Sequence, residues 1–283
     1  MSQPPPAPPS LQDLRREIDN IDEQMHRLLM QRSDIIDRLI SVKKTQEVGS
    51  AFRPAREADM MRRLVERHRG LLPLDTVEGI WRVIIATFTY VQAPFSVHAD
   101  LSTGESAMRD SARFHFGFTV PFVPHFNPTA AVDAVARSKG DLALVPATTN
   151  RMPWWLELEA DGAPKIIARL PFVERADHPA ALPVFVVSRV ADSAMVTEVE
   201  TWSVRVSGWN ADVASALAPL AEIAAVPDAA FDGAALLISI NGAGNLDRIT
   251  SALVAAGATV RSAALVGSHA TRYTVPSNAP ARG

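Results

Sequence analysis

Three cationic residues are spaced along one amphipathic segment near the start of the chain. They are Arg15, Arg32 and Lys43, within a stretch that runs from Leu11 to about Thr45. On an α-helix, Arg32 and Lys43 would lie on the same face, roughly 16 Å apart. Two long side chains at that spacing could close on a small dianion. Arg15 would lie about 25 Å beyond Arg32, so it would have to serve a site of a neighbouring subunit.

The elements that position these cations follow from the apolar pattern. Apolar residues recur at spacings of three and four from Leu14 to Leu39, which predicts one helix of about 35 residues. Ser10 is a plausible N-cap. A helix of this length indicates a bundle in which a second chain covers it. Two more helices are predicted, over residues 55–69 and 75–92.

Bulk composition limits the class of protein. The chain has 283 residues, 47% of them hydrophobic, and a net charge of −3, which fits two or three globular domains and gives no support to nucleic-acid binding. Because cysteine is absent, disulfides and thiolate metal sites are excluded. His26, His68 and His98 have no metal-ligand spacing. No apolar run approaches the ~20 residues of a membrane helix. We therefore expect a cytoplasmic protein without a metal.

The pattern changes after the helical segment, so a multidomain chain is predicted. A disordered proline-rich tail at 1–10 and a helical domain at 11–95 are followed by an α/β domain at 100–195, where short apolar runs alternate with helical stretches. Residues 200–276 parse as a βαββαβ unit of the ferredoxin-like type. A loose tail at 277–283 ends the chain.

The helical segment resembles the all-α (AroQ-class) chorismate mutases, from Leu11 to about Ala93. The resemblance is carried by Leu14-Arg15-Arg16-Glu17-Ile18-Asp19, Gln31-Arg32, Val42-Lys43-Lys44, Arg53-Pro54-Ala55-Arg56-Glu57 and the closing Ile84-Ile85 and Gln92. It implies an intertwined homodimer with active sites shared between subunits. It also implies the cofactor-free Claisen rearrangement of chorismate to prephenate, within the biosynthesis of aromatic amino acids.

The resemblance implies a role for each polar residue. Arg15 of one subunit and Arg32 of the other clamp the two carboxylates, which guanidinium groups bind bidentately. Lys43 and Gln92 donate to the ether oxygen, where negative charge grows in the transition state. Glu57 accepts from the ring hydroxyl. No general base, metal or nucleophile is required.

Three positions depart from the best-known bacterial mutases. Met60 and Met61 stand where those proteins have an arginine and a glutamate. Phe88, also placed in the substrate site, stands where a serine usually contacts a carboxylate. Since Phe88 removes a donor and adds bulk, we expect weakened substrate affinity.

Residues 100–195 resemble the catalytic region of prephenate dehydratases, which implies a periplasmic-binding-protein-like α/β domain. The matching stretches are Ala131-Val132-Asp133-Ala134-Val135, residues 140–146 and residues 165–172. The glycine-rich opening motif is absent, and Ala147-Thr148-Thr149-Asn150 replaces the glutamate and asparagine expected after Pro146. Dehydration needs an acid for the leaving hydroxyl, and no candidate is found. We therefore predict a degenerate domain.

The βαββαβ unit resembles the ACT regulatory domains. The loop between its third strand and second helix is the predicted site for an aromatic amino-acid effector, since backbone N–H groups at a helix start suit a carboxylate. The predicted effector residues are Asn241, Gly242, Gly244, Asn245 and Leu246. The alternative is that the glycines only make the turn.

Three functions are open at this point. The leading one is a homodimeric chorismate mutase. The second is a bifunctional chorismate mutase/prephenate dehydratase. The third is a catalytically impaired regulatory protein whose helical bundle only dimerises, since an isolated Arg or Lys on an amphipathic helix is usually solvated or salt-bridged.

Overall fold

A computed structural model describes residues 9–43, 51–147, 152–189, 198–228, 232–242 and 244–275. The chain divides into two compact units, Met1–Glu47 and Val48–Gly283. Most of the tail predicted at residues 1–10 and all of the tail at 277–283 lie outside the described residues. Among the helices that are described, none has the length and apolar character needed to cross a membrane.

The first unit contains one long helix, α1 (Leu11–Lys43), which confirms the prediction. Ser10 caps it: the Ser10 N–H donates to the Asp13 carboxylate at 3.2 Å, and the Asp13 N–H donates to Ser10 Oγ at 3.2 Å. Such reciprocal bonds satisfy donors that a helix start leaves unpaired. Ten apolar side chains of α1 are between 38% and 66% exposed, namely Leu11, Leu14, Ile18, Ile21, Met25, Leu28, Leu29, Met30, Ile35 and Val42.

The second unit opens with two helices, α2 (Pro54–Arg67) and α3 (Leu74–Gln92), close to the predicted bounds. Pro54 begins α2, where its missing N–H costs nothing. Met61 and Leu64 of α2 and Ile85 of α3 are buried in one apolar cluster with strand residues such as Leu144 and Val186. These two helices therefore share a core with the α/β part of the chain.

The α/β part follows α3 in the chain and shares its core. Its elements are β1 (Val97–Asp100), α4 (Glu105–Phe116), β2 (Phe122–His125), α5 (Pro128–Ala136), β3 (Leu142–Pro146), a 3-10 helix (Trp154–Leu158), β4 (Lys165–Leu170), β5 (Val173–Glu174) and β6 (Val184–Ser188). The predicted extended segments at 141–145, 165–168 and 184–187 and the helix at 130–138 are confirmed. Asn127 caps α5 by accepting from the Ala130 N–H at 2.8 Å.

The last section has the predicted βαββαβ order. It comprises β7 (Val199–Ser207), α6 (Ala211–Leu217), β8 (Glu222–Asp228), β9 (Gly233–Asn241), α7 (Leu246–Ala255) and β10 (Thr259–His269), followed by β11 (Tyr273–Thr274). Its strands lie in the order β10-β7-β9-β8, and all their pairings are antiparallel. This is the ferredoxin-like arrangement.

The two sets of strands form one sheet. Nine of the described strands are joined in the order β2-β1-β3-β6-β4-β10-β7-β9-β8. The junction is a parallel pairing of β4 with β10, at Ile166 and Gly267. Three strands separate β4 from β8 in this sheet, yet Arg169 of β4 contacts Glu222 of β8. The contact shows that the sheet curls strongly. Leu237 of β9 accordingly shares a buried cluster with Phe185 of β6.

Candidate functional site

The predicted substrate-binding cations lie on α1. Arg15 is exposed and Arg32 is partly buried. Lys43 is the last residue of the helix, and its side chain lies outside the described part of the structure. The single continuous helix gives these residues the axial spacing that was predicted from the sequence. Their convergence with residues of α2 and α3 stays a prediction.

Glu57, the predicted hydroxyl acceptor, lies in the first turn of α2 and is 5% exposed. Its Oε2 accepts a hydrogen bond from Nη1 of Arg82 on α3 at 2.7 Å. Arg82 is 1% exposed. An ionised carboxylate is tolerated at such burial because a cation faces it directly.

Arg82 also connects the two helices to the α/β part. Its Nε and Nη2 donate to the carbonyl oxygen of His115, the second-last residue of α4, at 3.2 and 2.9 Å. The guanidinium lies 5.3 Å from the ring centroid of Phe172, which follows β4. The orientation of Glu57 thus depends on α4 and on the loop after β4.

A second buried charge cluster lies one turn earlier on α3. Glu78 is 1% exposed and accepts from Arg175 Nη1 at 2.6 Å. His178 Nε2 lies 3.2 Å from the other carboxylate oxygen of Glu78. The segment after β5 is therefore held against α3 by charge-assisted contacts, which are stronger than neutral hydrogen bonds.

His115 is fully buried between these two clusters. Its ring stacks on that of His178, with centroids 6.0 Å apart. Burial, followed by the charges of Arg82 and His178, holds the pKa of His115 well below its usual 6.5. His115 is therefore neutral at physiological pH. Among the residues that the structure describes, no group of three or more His, Asp or Glu could hold a metal ion.

Phe88 and Gln92 lie one turn apart on α3, and both are half-buried. The Gln92 side-chain amide donates to the backbone oxygen of Phe88 at 2.9 Å. This bond fixes the amide nitrogen that the resemblance assigns to the ether oxygen. The role of Gln92 in binding substrate stays a prediction.

The methionines that depart from the mutase pattern have a packing explanation. Met61 is completely buried in the cluster that α2 and α3 share with the sheet, and Met60 packs against that cluster. An arginine or glutamate here would lie in apolar surroundings, and burying its charge there would destabilise the fold. Apolar side chains at these positions fit the packing of α2 on the α/β part.

The predicted effector loop is closed by its own contacts. The N–H of Gly244 points to Glu200 Oε2 at 3.4 Å, and Asn245 Nδ2 donates to the Asn241 carbonyl at 2.6 Å. Gly242 has φ +82°, which favours glycine. Leu246 begins α7, and Ala243 lies outside the described residues. These contacts favour the turn-making alternative in the single chain.

Sequence reasoning missed Arg82 and Glu78. A signal was present, because both residues lie on the apolar, buried face of α3. Glu78 directly follows Val77, and Arg82 lies three residues before Ile85. A charge inside an apolar stripe indicates a buried partner. The partner could not be named from the pattern, because Glu57 is 25 residues and Arg175 97 residues away in sequence.

The helical segment matches the model of one known protein family. Residues 14–93 match the family model Chorismate mutase type II. This segment, called the mutase segment below, contains Arg15, Arg32, Lys43, Glu57, Phe88 and Gln92. It covers most of α1 and all of α2 and α3.

Curated relatives are named as bifunctional enzymes. The chain is 30% identical over 103 residues to a bifunctional chorismate mutase/prephenate dehydratase of Neisseria gonorrhoeae, covering 36% of this chain and 27% of the relative. The protein of that name from Pseudomonas aeruginosa is 30% identical over 132 residues, covering 45% and 34%. That from Aquifex aeolicus is 26% identical over 140 residues, covering 48% and 38%. The match thus spans less than two fifths of each relative.

Two solved structures are similar at a lower level. One, described as GqqA, a novel type of quorum quenching acylases, has 14% identity and a TM-score of 0.41, covering 62% of this chain and 95% of that one. The prephenate dehydratase of Staphylococcus aureus has 11% identity and a TM-score of 0.38, covering 62% and 100%. Likenesses at this TM-score say nothing about the activity of this chain.

Proposed function

We propose that the protein is a chorismate mutase, an isomerase that converts chorismate to prephenate by a cofactor-free Claisen rearrangement. The observation that carries the proposal is the match of residues 14–93 to the chorismate mutase type II family. Every residue assigned a role in the reaction falls within that segment. The names of the curated relatives support the same reaction.

The rearrangement requires only that charged and polar side chains bind the substrate in its reactive conformation. Arg15 and Arg32 bind the two carboxylates of chorismate and hold its compact reactive conformer. Lys43 and Gln92 stabilise the charge that grows on the ether oxygen. Glu57 accepts from the ring hydroxyl, and Arg82 keeps the Glu57 carboxylate in place.

We infer a homodimer with shared active sites. The support is the exposed apolar stripe of α1, in which Ile18, Met25 and Leu28 are each more than half exposed. Monomeric proteins rarely leave so continuous an apolar surface in water. A second copy would cover the stripe and would bring Arg15 to the partner's site. A cytoplasmic location stays a prediction.

A spectrophotometric assay of chorismate loss tests the proposed reaction. We expect the purified protein to consume chorismate, and Arg32→Ala to lower turnover roughly a hundredfold or more, because the substrate loses one of the two clamps that hold its reactive conformer. Arg38→Ala, which removes an exposed arginine of the same helix, is the matched control. Wild-type protein that leaves chorismate untouched would favour the impaired regulatory alternative.

A second activity is favoured only by the bifunctional names of the relatives. The same purified protein, given prephenate, would form phenylpyruvate if a dehydratase were present. We expect none, since no acid is identified for the leaving hydroxyl. For the aromatic amino-acid effector, calorimetry with phenylalanine and tyrosine is the direct test, and Asn245→Ala tests the predicted loop.

A further inference from the structure

The curled sheet forms a half-open cavity at one end, and the residues around it are remote in sequence from the mutase segment. Its volume is about 360 Å³, within the range of small-molecule sites. The wall is built from the ends of β4, β9 and β10, the start of β8 and the segment around β11. Its polar side chains include Arg169, Glu174, Glu222, Asn241, His269 and Arg272.

One carboxylate lies between two arginines in this cavity. Oε2 of Glu222 contacts Nη1 of Arg169, and Oε1 of Glu222 is 3.2 Å from Nη2 of Arg272. Arg272 Nη1 also pairs with Glu174 Oε1 at 2.7 Å. The two guanidinium groups therefore converge on the position of a single carboxylate.

Burial differs sharply between the two kinds of partner. The side chains of Arg169 and Arg272 are 10% and 12% exposed, whereas that of Glu222 is 57% exposed. Arg169 is fixed within β4, and Arg272 directly precedes β11. Glu222 is the first residue of β8 and extends in from the solvent side. The arginines are therefore the largely buried part of the cluster, and Glu222 is the part that faces solvent.

The guanidinium of Arg169 retains unused hydrogen-bonding capacity. Its Nε makes no hydrogen bond to any residue that the structure describes. Burial, followed by the charge of Arg272, lowers the pKa of Arg169 to about 10. Arg169 is still protonated at neutral pH, so two like charges are held close together. Such a pair is stabilised by a bridging anion.

We propose that this cavity binds a small organic carboxylate, whose carboxylate group takes the place of Glu222 between Arg169 and Arg272. The planar guanidinium fork matches the two oxygens of a carboxylate. In the ligand-free protein the exposed Glu222 side chain acts as an internal competitor. Asn241, Ser239 and Thr271 line the remaining volume and offer polar contacts to the rest of the ligand.

Titration calorimetry with pyruvate and benzoate as probes tests the proposal. We expect Glu222→Gln to bind at least one of these carboxylates about tenfold more tightly than wild type, because the competing charge is removed. Adding Arg272→Ala to this variant should weaken binding about tenfold or more. Adding Arg205→Ala instead, which removes a half-exposed arginine of the same sheet, should leave the affinity unchanged.

Inorganic phosphate at matched ionic strength forms a further arm. Tighter binding of phosphate than of either carboxylate would overturn the assigned ligand class. A folded Glu222→Gln protein that binds neither carboxylate, or binds them no more tightly than wild type, would overturn the site itself. Arg272→Lys keeps the charge and loses the fork, and it replaces the alanine variant if that variant does not fold. Equal affinity with and without the Arg272 change would also overturn the proposal.

Discussion

Oε2 of Glu57 lies 2.7 Å from Nη1 of Arg82, and neither side chain is more than 6% exposed. Moving two charges out of water costs several kcal/mol for each ion, which their attraction offsets only if the remaining donors are also satisfied. Here Nε and Nη2 of Arg82 each donate to the carbonyl oxygen of His115. The pair therefore joins α2, α3 and α4 at one point.

Arg82→Met should destabilise the fold strongly. It leaves the Glu57 carboxylate buried without its cation, and we expect the free energy of unfolding to fall by about 3–5 kcal/mol. Urea denaturation followed by circular dichroism measures the change. Arg62→Met is the control: Arg62 forms exposed ion pairs with Asp59 and Glu66. Because such pairs contribute little to stability, the free energy of unfolding should change far less than in Arg82→Met. If both variants lost the same free energy of unfolding, the buried pair would contribute no more to stability than the exposed pairs.

Mixing two inactive variants tests whether the active sites are shared. Arg15→Ala and Arg32→Ala homodimers should both be inactive, because each site lacks one carboxylate clamp. After the two proteins are unfolded and refolded together, each heterodimer has one intact site, and chorismate loss should reappear. A mixture of Arg32→Ala with Lys43→Ala leaves no intact site and serves as the control. If the Arg15→Ala and Arg32→Ala mixture stayed as inactive as the control mixture, Arg15 would act within its own subunit.

Phe88→Ser should tighten binding of chorismate. The change replaces a half-buried ring with a hydroxyl that can donate a charge-assisted hydrogen bond to a carboxylate. Steady-state kinetics should show a Michaelis constant several-fold lower, with a smaller effect on turnover. Val91→Ser, at an exposed position of the same helix, should change neither. A wild-type Michaelis constant typical of the class, unaltered in Phe88→Ser, would remove the hypothesis.

Gly267→Ala should weaken the junction between β4 and β10. A Cβ at Gly267 would lie 2.2 Å from the carbonyl oxygen of Ile166, which is backbone and cannot give way. We expect a loss of about 2–3 kcal/mol in unfolding free energy. Gly79→Ala is the matched change, since its Cβ would meet only Phe114 at 3.7 Å and alanine favours a helix. Comparable melting temperatures for the two variants would argue against a close junction.

Acid should destabilise the protein through His269. Burial lowers the pKa of His269 to about 4, whereas unfolded histidine titrates near pH 6.5. Between these values the unfolded chain binds a proton that the folded protein does not. The free energy of unfolding should therefore fall as pH drops from about 6.5 to 4, by up to about 3 kcal/mol from this residue.

Urea titrations at several pH values measure this loss. His269→Gln should flatten the dependence on pH in that window. His26→Gln, which removes an exposed histidine of α1, should leave it as in wild type. A wild-type free energy that stays constant from pH 6.5 to 4 would contradict the assigned role.

Local structure, and the segment assigned the proposed chemistry, could be predicted from the residues alone. Apolar spacings of three and four are set by helix geometry, so α1, α2 and α3 were predictable within about two residues. The order of elements in the last section was predictable for the same reason, since turns and strands have local signals. The placement of Arg15, Arg32 and Lys43 along one helix also follows from spacing alone.

Only the tertiary structure decided which charges meet. Arg82 bonds Glu57 because α2 and α3 pack on α4, and Arg169 meets Glu222 because the sheet curls through the β4–β10 junction. Such contacts join residues far apart in sequence, and their energies depend on burial that no local pattern records. The shared core likewise shows that α2 and α3 pack with the sheet. Periodicity in the sequence determines which face of a helix or strand is apolar. Which other element covers that face depends on how the whole chain packs.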